Sequence, residues 1–469
     1  MVKNMTADEK FRMMTQEPVS RLICSLAVPT IISMLISAIY NMADTFFVSK
    51  ISTSASGAAG ISFSLMAIIQ ALGFTIGMGS GNYISRLLGQ KRRQDASNVA
   101  ATGFFTALFL GLALALLGLI FLDPFVYFLG ATPTIAPYAK SYIRYILIGA
   151  PYMMASFVLN NILRFQGSAF FAMLGLATGG ILNIVLDPIF IFTLKMGTGG
   201  AALATIISQF VSFLILFYNS GIGGNIKIKF KNFTPSWEIY REILKGGLPS
   251  FFRQVLGSLS MICLNYSARP YGDAAIAAMA IVVRLFQFAV SAVIGFGQGF
   301  QPVCGFNYGA KRYDRVLNAF WFSVKVAAVF LTAAAVVGFV FSDQIIAIFR
   351  KEDLEVIRIG SRALRYQCLT FPLSAWIILT NMLLQTIGKG LEASIVSASR
   401  QGLFFVPAIV ILPRLFGLLG VQLSQPVSDV FSFLLAIPMA LGTLRELEAL
   451  HREEREKMKK MESVKGATL

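Results

Sequence analysis

Residues 96–122, ASNVAATGFFTALFLGLALALLGLIFL, run without a single Asp, Glu, Lys, Arg or His. About 20 apolar residues carry an α-helix across a bilayer core, whereas a soluble helix of that length keeps a polar face. Eleven further apolar runs flank this one. They fall at 22–48, 55–80, 138–162, 169–194 and 198–219, and then at 242–267, 274–304, 316–342, 360–385, 391–413 and 417–441. The whole chain is 56% apolar and only 13% charged, against about 25% charged in soluble domains. The expected fold class is therefore an all-α membrane protein with twelve transmembrane helices.

The polar stretches between the runs set the organisation. An N-terminal segment spans 1–20 and a first lobe of six helices spans 21–220. A linker with Lys227, Lys229, Lys231 and Pro235 covers 221–240, a second lobe covers 241–441, and a charged tail covers 442–469. The net charge of +17 does not point to nucleic acid, because the basic residues sit mostly in short connections between apolar runs. Clusters such as Arg86-Lys91-Arg92-Arg93 and Lys311-Arg312-Arg315 follow the positive-inside bias. That bias places both termini in the cytoplasm of a multi-pass plasma-membrane protein. The mixed-charge start, Met1 to Glu17, is not a signal peptide. The tail from Arg445 to Lys460 alternates charges at helical spacing and reads as a solvated helix or a headgroup contact.

The two lobes repeat each other. At a shift of 220, Pro29 meets Pro249, Gly77 and Gly79 meet Gly297 and Gly299, and Lys91-Arg92 meets Lys311-Arg312. At 221, Arg144-Tyr145 meets Arg365-Tyr366, Pro151 meets Pro372, and Asn160 meets Asn381. Six spans per half is an even number, so both halves share one orientation. Transporter sites commonly lie at such repeat interfaces, with alternating access by rocking of the halves.

Several chemistries are excluded. The only histidine, His451, lies in the tail, which removes His-dependent hydrolases and most metal centres. Cys24, Cys263, Cys304 and Cys368 have no CxxC spacing and read as small buried hydrophobes. Gly77-Met78-Gly79-Ser80-Gly81 lacks the Lys-Ser/Thr ending of a phosphate loop. Its spacings, Gly73/Gly77 and Gly77/Gly81, with Gly295/Gly299 in the second half, suit close helix packing. No cofactor or nucleotide site is expected, so energy comes from an ion gradient or from the solute's own gradient.

Apart from Glu242 and Glu392 at span edges, three acids are embedded in spans: Asp44, Asp187 and Asp429. A charge at the bilayer centre costs about 2.5–3.5 kcal/mol on insertion scales, so each is a functional candidate. Tyr40 and Asn41 share a helix face with Asp44. Asn183 lies one turn before Asp187, and Pro188 disrupts the helix's hydrogen-bond ladder next to it. Two carboxylates and an amide oxygen make a hard-oxygen set suited to Na⁺, or to a proton where burial favours the neutral acid. The competing structural role is pairing with an intramembrane Arg. For Asp429 the candidate counter-ions are Lys325, Arg400 and Arg284. At the 220 shift Asp44 falls on Leu264 and Asp187 on Pro407, so the acid pair belongs to the first half only.

These residues carry a family resemblance. The repeat, the twelve spans, Ala43-Asp44-Thr45-Phe46-Phe47-Val48 and Asn183-x-x-Leu186-Asp187-Pro188 resemble the multidrug and toxic compound extrusion (MATE) family over about residues 20 to 440. The resemblance implies a V-shaped twelve-helix fold and cation-coupled export of organic compounds. It also implies an N-lobe cation site, with Thr205 of the sixth span joining Asp44, Asn183 and Asp187. Another branch of the family places essential acids in spans seven and ten. Span ten holds no acid here and span seven only Glu242 at its very edge, so a second-lobe site of that kind is not expected.

For the substrate cavity the candidates are Tyr40, Asn41, Gln70, Asn160, Asn161, Asn265, Arg284, Gln287 and Asn381, joined by Gln254 and Gln385. Each must avoid lipid. Met42, Met66, Met153, Met154 and Met261 add adaptable surface. The expected function is Na⁺- or H⁺-driven antiport of amphipathic, often cationic, organic molecules by a monomer in the lipid bilayer. A lipid-precursor flippase of the same superfamily is the alternative. It would show a cationic cavity, whereas only Arg253, Arg284, Lys325 and Arg400 lie deep within spans, the other basic residues of the spans (Lys140, Arg144, Lys245, Arg362 and Arg365) sitting near their ends. An intramembrane aspartyl protease would need Asp44 and Asp187 as its dyad.

Overall fold

The computed structural model describes residues 5–349 and 353–467. The first four residues of the N-terminal segment, Arg350 to Glu352, and the last two residues of the tail lie outside the described residues. Among the described residues the chain is helical throughout, without strands. The first lobe holds α1 (Ala7–Gln16), α2 (Val19–Ser49), α3 (Thr53–Gly89), α4 (Arg93–Ile120), α5 (Leu122–Phe128), α6 (Ala136–Phe165), α7 (Ala169–Pro188) and α8 (Gly197–Ser220). Then follow α9 (Trp237–Ala268), α10 (Asp273–Gly309), α11 (Tyr313–Val340), α12 (Ser342–Phe349), α13 (Leu354–Ile387), α14 (Gly390–Ala398), α15 (Phe405–Phe416) and α16 (Leu418–Ala467).

By length and apolarity, 11 spans qualify among the described residues. The twelfth expected run, 242–267, lies in α9 and is not among them. Pro249, Arg253, Gln254 and several serines dilute its apolar content, yet it folds as one 32-residue helix. Charged α16 is continuous with the last span, so span and tail are a single 50-residue helix.

The chain divides into two compact units. Residues up to Gln16 and Ser25–Gly247 form one, and Glu17–Cys24 with Leu248 onward form the other. The boundary falls inside α9 rather than in the loop before it. The reason is packing: Gly246 and Gly247 of α9 lie directly on the backbone of Gly79 and Thr75 in α3.

Each unit is built around one central helix. Spans α6 and α13 have 78% and 72% of their apolar windows buried, while no other span exceeds half. They are repeat counterparts, and one hydrogen bond repeats with them. Asn160 Nδ2 donates to the Ala172 carbonyl at 3.1 Å, and Asn381 Nδ2 donates to the Ala393 carbonyl at 2.6 Å. Both donor and acceptor are offset by 221. The turns before α4 and α11 repeat as well. Lys91 and Lys311 both adopt positive φ, 60° and 57°. The following Arg92 and Arg312 N–H groups donate back to Leu87 and Asn307 at 2.9 and 2.8 Å.

The short helix α1 was not anticipated in the polar N-terminal segment. Met14 is fully buried, and Phe11 packs under the Lys91 ammonium at 4.9 Å. Lys10 Nζ, also buried, donates to Ser168 Oγ at 2.6 Å and Asn225 Oδ1 at 2.5 Å, and among the described residues no carboxylate offsets its charge. Burial, helped by the nearby Arg93 charge, pulls the Lys10 ammonium down from 10.5 to about 7. Docked α1 therefore binds fewer protons than released α1 between those values. Docking strengthens as pH rises from about 7 towards 10.5, and is insensitive to pH below about 7. Hydrogen exchange of residues 7–16, corrected for intrinsic rates, is expected to slow across that window. The dependence is expected to vanish in Lys10→Met, which leaves the Ser168–Asn225 bond in place. A wild-type profile in Lys10→Met would assign the effect to another group.

Candidate cation site in the N-terminal lobe

Asp44 lies near the C-terminal end of α2 and Asp187 near that of α7, and both are buried. The Asp187-Pro188 step ends regular α-helix. Proline cannot donate to the ladder, and a π-helical turn, Ile189–Thr193, follows directly. Such turns recur at functional sites.

Four helices converge here. On α7, Asn183 Nδ2 donates to Asp187 Oδ1 at 3.1 Å, and it reaches Thr205 Oγ1 of α8 at 3.4 Å. Thr205 also donates to its own helix, to the Ala201 carbonyl at 3.0 Å. On α6, Tyr142 donates its hydroxyl to Asp44 Oδ2 at 3.4 Å. The same hydroxyl interacts with Thr205, and the two carboxylates lie within electrostatic range of each other. The structure thus brings Asn183, Asp187 and Thr205 into one hydrogen-bonded cluster and joins Asp44 to it through Tyr142.

Three oxygens of this cluster are buried without a hydrogen-bond partner among the described residues: Asp44 Oδ1, Asn183 Oδ1 and Asp187 Oδ2. Buried polar atoms are normally satisfied. Two neighbouring carboxylates out of water also repel each other. Among the described residues neither acid makes an ion pair. Three orphaned oxygens, two of them carboxylate, fit a small hard cation or a proton.

Tyr142 was not singled out from the sequence. The signal available was general: a tyrosine inside an apolar span needs a partner for its hydroxyl. Asn41 faces the same way as Asp44 along α2 but donates to its own helix, to the Ser37 carbonyl at 2.7 Å. Tyr40 packs against Gly180 of α7.

The remaining cavity candidates separate into two groups. Asn160, Asn161 and Asn381 are buried and donate to backbone carbonyls within their lobes. Gln70, Asn265, Arg284 and Gln287 are exposed on their units. Asp429 has found its counter-ion: Arg400 Nε lies 2.7 Å from Oδ1, while Lys325 and Arg284 are exposed.

The apolar spans, with this buried cluster of acidic and amide oxygens inside them, define a polytopic membrane transporter. The MatE family profile matches residues 29–189 and again 249–410, the two copies beginning at Pro29 and Pro249. The chain belongs to the MATE family. It is 29% identical over 437 residues to "Multidrug export protein MepA" of Staphylococcus aureus, covering 92% of this chain and 95% of that one. Among solved structures it resembles the outward-facing conformation of a multidrug resistance MATE transporter. The TM-score is 0.88 at 28% identity, over 95% of this chain and 100% of the other. A transporter of Pyrococcus furiosus, described by a reversed polarity of its binding pocket, superposes with a TM-score of 0.87 at 28% identity, over 94% and 99% of the two chains.

Proposed function

We propose that this transporter exports amphipathic, often cationic, organic compounds in exchange for Na⁺ or H⁺ by alternating access. The observation that carries this reading is the set of three buried, partnerless oxygens at Asp44, Asn183 and Asp187. Unfilled, the site leaves two carboxylates desolvated and repelling. A bound cation or shared proton relieves that cost, so occupancy shifts the balance between conformations by its differential affinity. Thr205 and Tyr142 supply hydroxyls that reorient as the cation enters. The relatives' names support a multidrug substrate range, and the positive-inside bias supports a plasma-membrane protein with both termini in the cytoplasm. We assign the lobes to 21–220 and 241–441, and the working unit to the monomer.

The test is efflux of a fluorescent cationic dye from vesicles holding the full chain, with Na⁺ and proton gradients imposed separately. Dye movement against its gradient under at least one ion gradient is expected. Dye flux indifferent to both gradients would overturn ion coupling.

A further inference from the structure

The second lobe holds a buried acid too, in an opposite state. Asp429 is fully buried on α16, and both its oxygens are saturated. Oδ1 accepts from Arg400 Nε at 2.7 Å and from Gln425 Nε2 at 2.9 Å. Oδ2 accepts from Gln367 Nε2 at 2.8 Å and from Thr370 Oγ1 at 3.1 Å. The Arg400 guanidinium lies over the Phe286 ring, 4.4 Å from its centroid. Its Nη2 is buried without a hydrogen-bond partner among the described residues. Arginine usually grips a carboxylate with two parallel bonds. Here one reaches the acid, and the rest of the cation stacks, so its charge matters more than its fork.

The placement follows the repeat. Gln367 and Thr370 are on α13, Arg400 on a π-helical turn (Ser399–Leu403) after α14, and Asp429 on α16. At an offset of 221 these elements are counterparts of α6, α7 and α8, which carry Tyr142, Asn183 with Asp187, and Thr205. Each lobe thus has a buried acidic cluster that draws on these three counterpart helices and has a π-helical turn near it, with α2 adding Asp44 in the first lobe. In the first-lobe cluster three oxygens, Asp44 Oδ1, Asn183 Oδ1 and Asp187 Oδ2, lack partners among the described residues. In the second, none of Asp429's does.

We propose that Arg400 is a tethered cation. It fills in the second lobe the role that Na⁺ or a proton fills in the first, and so confines the response to an ion gradient to one lobe. A buried carboxylate needs a counter-charge, and a covalently held guanidinium that is always charged cannot be exchanged by a gradient. Behind it lies a latent site for a small monovalent cation, made by Asp429, Gln367, Thr370 and Gln425. Side-chain amides can turn their oxygens towards such an ion. This inference rests on the proposed first-lobe reading.

The test counts cation-binding events per purified full chain, by calorimetric titration with NaCl and by proton release on adding it. Arg400→Gln is expected to show one event more than the wild type, and the Arg400→Gln/Asp429→Asn double variant to lose that extra event. Folded Arg400→Gln with the wild-type count would overturn the proposal. Asp429→Asn decides the matter even where Arg400→Gln fails to fold. An unchanged count supports a permanently neutralised acid, and a lowered count shows Asp429 already binding an exchangeable cation and overturns the proposal. Failure of the first-lobe reading looks different: Asp187→Asn would then leave the wild-type count intact.

Discussion

Asp187→Asn is expected to reduce gradient-driven dye efflux to the background leak, and Asp44→Asn to do the same. Asparagine keeps the shape of the side chain but removes the charge that makes a desolvated cation welcome. Interactions with a charged partner are worth about 1.5–3 kcal/mol each, or roughly 10- to 150-fold in affinity. With only two charges in the cluster, losing either leaves too little to hold an ion against rehydration. Thr205→Val removes a neutral oxygen and should cost less, about 0.5–1.5 kcal/mol. Its Oγ1 is already engaged with the Ala201 carbonyl, which places the effect at the lower end. Tyr142→Phe is expected to fall between these, because it frees Asp44 Oδ2 from a donor without changing charge. The measurement is the initial efflux rate under separate Na⁺ and proton gradients, on variants whose thermal unfolding matches the wild type. A wild-type rate in folded Asp187→Asn would end the assignment of coupling to this cluster.

Much of the architecture was legible because it depends on local pattern. A run such as 96–122 announces α4, and the shift of 220–221 pairs Asn160 with Asn381 before either hydrogen bond is known. Asp44, Asn183 and Asp187 stood out because charge and amide are costly in an apolar span, whatever surrounds them. What the pattern could not supply was anything decided by contacts distant in sequence. Tyr142 looks like any interfacial aromatic until α2 lies beside α6. Three cations were open to Asp429, and only the packing of the Ser399–Leu403 turn against α16 selects Arg400. Helix α1 has few apolar residues. Its burial of Met14 and Lys10 depends on the loop at Gly167 and Ser168 and on Asn225. The unit boundary inside α9 likewise reflects a seam that no linker composition marks.

That seam carries the second large effect, on stability. Gly79→Ala is expected to destabilise the protein by about 1–3 kcal/mol, as overpacking does, and at the upper end of that range. The glycines of α3 face different neighbours. A Cβ on Gly81 would meet the Phe165 ring, and one on Gly73 would meet the Phe157 ring at 2.8 Å. A ring can tilt within its packing. A Cβ on Gly79 would instead fall inside the carbonyl of Ile243, and one on Gly247 inside the carbonyl of Thr75. Backbone cannot yield without moving a whole helix, so α9 would have to back away from α3 along its first turns. Gly60, also in α3, has nothing within 4 Å of an added Cβ among the described residues. Gly60→Ala should therefore be neutral, or stabilising by up to about 1 kcal/mol through helix propensity. Thermal unfolding in detergent compares the two directly. Equal midpoints for Gly79→Ala and Gly60→Ala would mean that the backbone contact between α3 and α9 contributes nothing, and that the close approach of Ile243 is incidental to holding the first unit together.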